Sequence, residues 1–114
     1  MSTLKTDCLF CKIIQKQIPA DIVFEDEKIL VFKDIHPKSE IHWLIIPKYH
    51  VESLLQVGEE DRDFLSHALC QMKLLAKRAD LRGFRTIVNA GKEGGQEVFH
   101  LHFHLLGGRN LPRF

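Results

Sequence analysis

Long apolar runs are missing from this chain. No stretch reaches the roughly 20 consecutive apolar residues that cross a bilayer. The opening Met1-Ser-Thr-Leu-Lys-Thr-Asp7 holds no apolar block followed by small residues, so no export signal is expected and the protein reads as soluble and cytoplasmic. An excess of either charge is missing as well: 16 Lys and Arg against 15 Asp and Glu leave a net charge of +1. Without a basic cluster interleaved with aromatic residues, nothing gathers a polynucleotide, and no nucleic-acid partner is expected. Cysteine is scarce and odd in number, three in all. That argues against a disulfide framework and for thiols or thiolates in a reducing compartment. Repeats, linkers and low-complexity tracts are absent, and 114 residues suit one domain, 1–114, around one core.

The local patterns predict an α+β fold. Cys8 to Gln15 reads as a short helix, closed at Ile18-Pro19 because proline disfavours helical geometry in the residue before it. The runs 21–25 and 29–33 are β-branched or aromatic and flank the charged turn Asp26-Glu-Lys28, which predicts an antiparallel hairpin. His42 to Pro47 is apolar on both faces, as a central strand would be, and Pro47 ends its ladder. From about Glu59 to Asp80, Phe64, Leu65, Ala68, Leu69, Met72, Leu75, Ala76 and Ala79 fall on one helical stripe. This predicts a long helix covering one face of the sheet. Cys70 and Leu74 lie off the stripe, either as part of a dimer interface or as ordinary surface scatter. Phe84 to Asn89 and His100 to Leu106 bring the count to five strands, joined through the glycine-rich segment Gly91-Lys-Glu-Gly-Gly-Gln96.

The last of these strands carries the chemistry. Side chains alternate along a strand, so His100, His102 and His104 share one face at roughly 6 to 7 Å spacing, with Leu101, Phe103 and Leu105 on the other. Histidine has no special strand propensity. A polar outer face that happens to use histidine is the bland reading, and three in strict alternation ask for a chemical one. Gly94-Gly95-Gln96 lies just upstream, where backbone N–H groups could meet an anion such as phosphate, or where a tight turn simply needs positive φ.

His100-Leu-His-Phe-His-Leu-Leu106 resembles the alternating signature of the histidine triad superfamily. The likeness runs from Cys8-Leu-Phe-Cys-Lys-Ile-Ile14 through Ile18-Pro-Ala20, Phe32-Lys-Asp-Ile35, Ile45-Ile-Pro-Lys48 and Gly94-Gly-Gln96 to Leu106-Gly-Gly108, and is strongest to the Hint branch of purine nucleoside phosphoramidases. That resemblance implies a five-stranded antiparallel sheet with one short N-terminal and one long central helix, and a homodimer formed through helix and sheet edge. It implies a hydrolase or transferase that cleaves the P–N bond of nucleoside phosphoramidates, or a related aminoacyl-adenylate, through a nucleotidyl-histidine. His102 is then the nucleophile, the carbonyl of His100 its orienting acceptor, His104 a phosphate ligand and His42 an active-site support. Phe10, Phe32 and Ile35 form the purine slot, Asp34 takes the ribose hydroxyls, and Asn89, Gly95, Gln96 and Val98 meet the nucleotide. For Asp34 and Asn89 a turn-capping role competes with these assignments. Glu97 stands where animal members carry serine, and the tail Asn110-Leu-Pro-Arg-Phe114 lacks their tryptophan, so leaving-group specificity does not carry over.

No metal is required for that chemistry. Cys8 and Cys11 have the spacing of two zinc thiolates. In some microbial relatives the matching remaining ligands are His50 and His100, giving a closed structural zinc site. Unligated core cysteines and a redox pair are the alternatives. His36 and His67 read as solvated surface residues. Three rival functions share these residues: a dinucleoside polyphosphate hydrolase of the Fhit type, a nucleotide-binding adaptor with incidental activity, and a zinc hydrolase whose triad holds the metal.

Overall fold

A computed structural model describes residues 4–114. Helix α1 spans Leu9–Ile14; strands β1 (Ile22–Glu25), β2 (Ile29–Lys33) and β3 (Ile41–Pro47) follow. A 3-10 turn, Glu59–Asp61, leads into helix α2 (Arg62–Arg78), and β4 (Arg85–Ile87) and β5 (Phe103–Gly107) close the order. The five strands form one antiparallel sheet ordered β1-β2-β3-β5-β4, so β3 is central, as its two apolar faces require. Among the described residues no helix is long and apolar enough to cross a membrane.

Local chemistry starts and stops these elements. The Cys8 thiol accepts the Cys11 N–H at 3.4 Å and caps α1. Asp26 Oδ1 accepts from the N–H groups of Lys28 and Ile29, at 2.8 and 2.9 Å, which tightens the β1–β2 turn. The two faces of the sheet then bury different sets. Ile29, Val31, Trp43, Ile45, Leu101, Phe103 and Leu105 pack against Phe64, Ala68, Met72 and Leu75 of α2. Leu30, Phe32, Leu44 and Ile46 pack against Phe10, Cys11 and Ile13 of α1. Because α1 is only 6 residues long, it covers part of its face and leaves the rest open. The open part is a cleft lined by His102 and His104.

Three details differ from the sequence expectation. Leu69 is on the predicted stripe yet 51% exposed, whereas Phe64, Ala68, Met72, Leu75 and Ala76 are buried and Leu65 and Ala79 partly so. The stripe is therefore narrower than the periodicity implied. The last strand begins at Phe103, because β3 pairs with it only as far as Ile45 opposite Phe103. Upstream, the Leu101 N–H instead donates to the Val51 carbonyl at 2.8 Å, so His100 and His102 sit in an extended approach to the strand. His67 is no free surface residue. Its Nε2 lies 2.7 Å from Asp26 Oδ2 and ties α2 to the β1–β2 turn.

Candidate active site

Each histidine of the triad has one ring nitrogen committed, and the identity of the partner fixes the proton. His102 Nδ1 is 2.7 Å from the His100 carbonyl oxygen. A carbonyl only accepts, so Nδ1 carries the proton and Nε2 keeps its lone pair. Burial, with 7% exposure, pushes the His102 pKa down and favours that neutral form.

A second chain of bonds sets His104. The Lys38 N–H donates to His42 Nδ1 at 3.0 Å, which leaves the His42 proton on Nε2. His42 Nε2 is 2.8 Å from His104 Nδ1 and donates to it. The His104 proton therefore sits on Nε2, the one nitrogen not yet engaged, in a residue that lines the cleft. Burial lowers the His42 pKa against the pull of Asp34 and takes His104 down to about 4, so both rings are neutral at pH 7. The result is an N–H donor on His104 beside a free ring lone pair on His102, with ring centroids 5.1 Å apart.

Both line a cleft of about 520 Å³. Phe10 stands edge-on to Phe32 and to His102, with centroids 5.3 Å away in each case, and forms the floor of an apolar slot. Ile35, Asp34, Asn89, Gly95 and Val98 line the same cleft. Asp34 Oδ1 accepts the His36 N–H at 2.8 Å as a turn residue would, and Oδ2 lies 3.4 Å from His42 Nε2 at the cleft. Ile13, Ile18 and Leu44 extend the slot, and His36, taken as plain surface, also borders it. Ile18 was visible in the Ile18-Pro-Ala20 motif, but without a role.

Gln96 is placed differently from expectation. Its Oε1 accepts the Gly91 N–H, and its Nε2 donates to the carbonyls of Glu52 and Val98. The 4% exposed carboxamide thus braces the glycine loop and does not line the cleft. The N–H groups of Gly94, Gly95 and Gln96 are likewise spent on the carbonyls of Gly91 and Lys92. Gly91 and Gly95 have φ of 79° and 88°, and a Cβ on Gly91 would meet the Leu55 side chain at 2.9 Å. The glycines thus serve the turn.

Cys8, Cys11, His50 and His100 bring one donor atom each to within 4.8 Å of one another. His100 Nε2 donates to the Pro47 carbonyl at 3.2 Å, so its Nδ1 lone pair faces the thiols of Cys8 at 3.4 Å and Cys11 at 3.6 Å. His50 Nδ1 is 3.4 Å from the Cys11 sulfur, and its buried Nε2 has no partner. Burial pushes the Cys11 thiol up to about 11 and the His100 imidazole down to about 4. Two soft sulfurs and two imidazoles are the donor set of a closed tetrahedral zinc site. Asp34, His42 and His104 also bring donor atoms within 4.8 Å. The three triad rings do not converge on one point, since His100 turns to the thiols and His104 to His42.

A model of the family described as scavenger mRNA decapping enzyme C-term binding matches residues 7–112. An uncharacterised HIT-like protein of Synechococcus elongatus is 46% identical over 109 residues, covering 95% of this chain and 96% of that one. The chain belongs to the histidine triad family. Solved HIT structures agree. A histidine triad protein from Clostridium difficile superposes with a TM-score of 0.92 at 41% identity, covering 96% of this chain and 97% of that one. A HIT family hydrolase from Legionella pneumophila gives 0.89 at 47%, over 93% and 96%. A zinc-bound histidine triad protein from Mycobacterium smegmatis gives 0.80 at 32%, over 91% and 76%. The fold and the likeness place this HIT protein among proteins described as HIT family hydrolases.

Proposed function

We propose that this HIT protein hydrolyses the P–N bond of purine nucleoside 5′-phosphoramidates, with His102 as nucleophile. The observation that carries the reading is the 2.7 Å bond from His102 Nδ1 to the His100 carbonyl, which leaves Nε2 as a neutral nucleophile in a cleft with an apolar slot and a carboxylate. Phe10, Phe32 and Ile35 take the base, and Asp34 the ribose hydroxyls. His102 Nε2 bonds to the α-phosphorus, the P–N bond breaks, and the amine leaves with a proton taken from solvent, which the attacking water of the next step gives back. Water then attacks phosphorus, the P–Nε2 bond breaks, and the nucleoside monophosphate is released with His102 restored. His104 Nε2–H donates to phosphate oxygen as charge builds in each step. Gln96 contributes through the shape of the loop that carries Gly95.

Cys8, Cys11, His50 and His100 would hold Zn²⁺. Bound there, the ion supplies a structural cross-link between α1, which carries Phe10, and the segment that carries the His100 carbonyl. Two copies would pair through the open edge of β4 and the exposed Leu69, Cys70 and Leu74 of α2.

The test is substrate comparison: AMP release from adenosine 5′-phosphoramidate against AMP release from diadenosine triphosphate. Preference for the phosphoramidate supports the reading. Preference for the dinucleotide assigns a polyphosphate hydrolase. Tight AMP binding with no turnover of either assigns an adaptor.

A further inference from the structure

A second groove, of about 330 Å³, shares Leu9, Glu97 and Val98 with the cleft and is walled by Cys8 and His50. We propose that this groove is the port through which a divalent metal ion reaches and leaves the Cys8, Cys11, His50 and His100 set, with Asp7 and Glu97 as the carboxylates that receive it. The proposal rests on the zinc reading of those four donors. Of the cleft and the groove, only the groove touches them, since none of the four lines the cleft. Cys11 and His100 are each 0% exposed, so an ion arriving from solvent along the groove meets Cys8 and His50 first.

Size and charge fit that role. A divalent ion travels with about six waters, which at about 30 Å³ of liquid volume each fill about 180 Å³, and the groove has room for them. Asp7 and Glu97 set two carboxylates on its wall against the single ammonium of Lys5. Among the described residues neither carboxylate is engaged in an ion pair. Asp7 directly precedes Cys8, and Glu97 stands three residues before His100, so both acids are tethered close to the donors. Carboxylate oxygen takes a divalent ion readily, but two thiolates and two imidazoles hold zinc more firmly, which suits the acids to a landing place and not a final one. The sulfurs within are held ready. The Lys5 N–H donates to Cys11 Sγ at 3.3 Å and the Cys11 N–H to Cys8 Sγ at 3.4 Å, and both bonds favour thiolate over thiol. Cys8 and His50 take the ion from the carboxylates, Cys11 and His100 close the tetrahedron, and each thiol gives its proton to solvent as its sulfur binds. Chelators in solution draw the ion off by the same route in reverse.

The experiment loads the whole, folded, chelator-stripped protein with Co²⁺ alone in a stopped-flow spectrometer and reads the thiolate-to-cobalt absorption band, with affinity measured by chelator competition. One carboxylate several ångströms from a divalent ion in wet surroundings is worth about three- to tenfold in encounter rate. Asp7→Asn combined with Glu97→Gln should therefore load at least about tenfold more slowly than wild type at low salt, and the gap should close as salt is raised. Lys5→Gln, which keeps the backbone N–H on Cys11, should load about three- to tenfold faster. Glu93→Gln, which removes a carboxylate outside the groove, should match wild type. Two thiolates neutralise the bound ion, so affinity in the double variant should shift by less than about threefold. Equal loading rates in wild type and the double variant overturn the port, and so does slowing of the same size in Glu93→Gln. An affinity that falls as far as the rate makes Asp7 and Glu97 part of the bound site and overturns it as well. If folded wild type gives no thiolate band at any Co²⁺ concentration, the zinc reading itself fails and takes the port with it.

Discussion

Replacing His42 with phenylalanine isolates the proton arrangement at the centre of the account. His42 is 4% exposed, receives the Lys38 N–H on Nδ1 and hands its own Nε2 proton to His104 Nδ1 at 2.8 Å. Phenylalanine keeps the ring but neither accepts nor donates. One buried acceptor, His104 Nδ1, is left without a partner, which costs about 1–3 kcal/mol of stability. The Lys38 N–H lies at an exposed residue and returns to water at little cost. The larger effect is on catalysis. His104 stays in place, but its proton is no longer held on Nε2, where the proposed contact to phosphate requires it. Removing an oxyanion donor outright costs about 10²–10³ in kcat, so loosening one should cost about 10- to 100-fold. Steady-state turnover of adenosine 5′-phosphoramidate, with urea unfolding as the stability control, gives both numbers, and ¹⁵N NMR of the imidazoles reports the His104 tautomer directly. A kcat within twofold of wild type, with the Nε2 proton still in place, refutes the relay.

The remaining predictions concern pH, metal and assembly. His100 and His104 have folded pKa values of about 4 against an ordinary 6.5, so between these values the unfolded chain binds more protons and stability falls as pH drops from 6.5 towards 4. Each contributes at most about 3.5 kcal/mol, at about 1.4 kcal/mol per unit. Urea midpoints at pH 7 and 4.5 should show the drop; equal midpoints contradict the burial argument. Cys8→Ala and Cys11→Ala should each abolish zinc retained through purification and lower the melting temperature, and zinc-free wild type of unchanged stability argues against the site. Leu74→Arg places a charge on the exposed face of α2, and light scattering should show a dimer in wild type and a monomer in the variant; the same mass for both moves the interface elsewhere.

Much of the fold could be read from local rules. The unbroken apolar runs in Ile29–Lys33 and Ile41–Pro47 mark strands covered on both faces, and proline and Asp26 mark the ends and the turn. The sequence does not show where one segment stops needing another. β5 starts at Phe103, where its pairing with Ile45 of β3 begins, and the Leu101 N–H goes instead to Val51, some fifty residues away. Gln96 looked like a phosphate ligand because its partners, Gly91 and the Glu52 carbonyl, are brought to it by the fold. His67 looked free because Asp26 lies 41 residues away in the chain. The Cys8, Cys11, His50 and His100 set could be named by resemblance, yet its approach to within 4.8 Å is a property of how α1 lies on the sheet. The triad itself was legible because it is local, three residues on one face of one segment.

The central claim is a covalent bond between His102 Nε2 and the nucleotide phosphorus. Rapid acid-free quenching of wild type with adenosine 5′-phosphoramidate, followed by intact-mass and peptide-level mass spectrometry, looks for that bond. The account predicts an adenylyl adduct on the peptide bearing His102, formed faster than steady-state turnover, and neither adduct nor AMP release in folded His102→Ala. An adduct on another residue, or undiminished AMP release by His102→Ala, would contradict it.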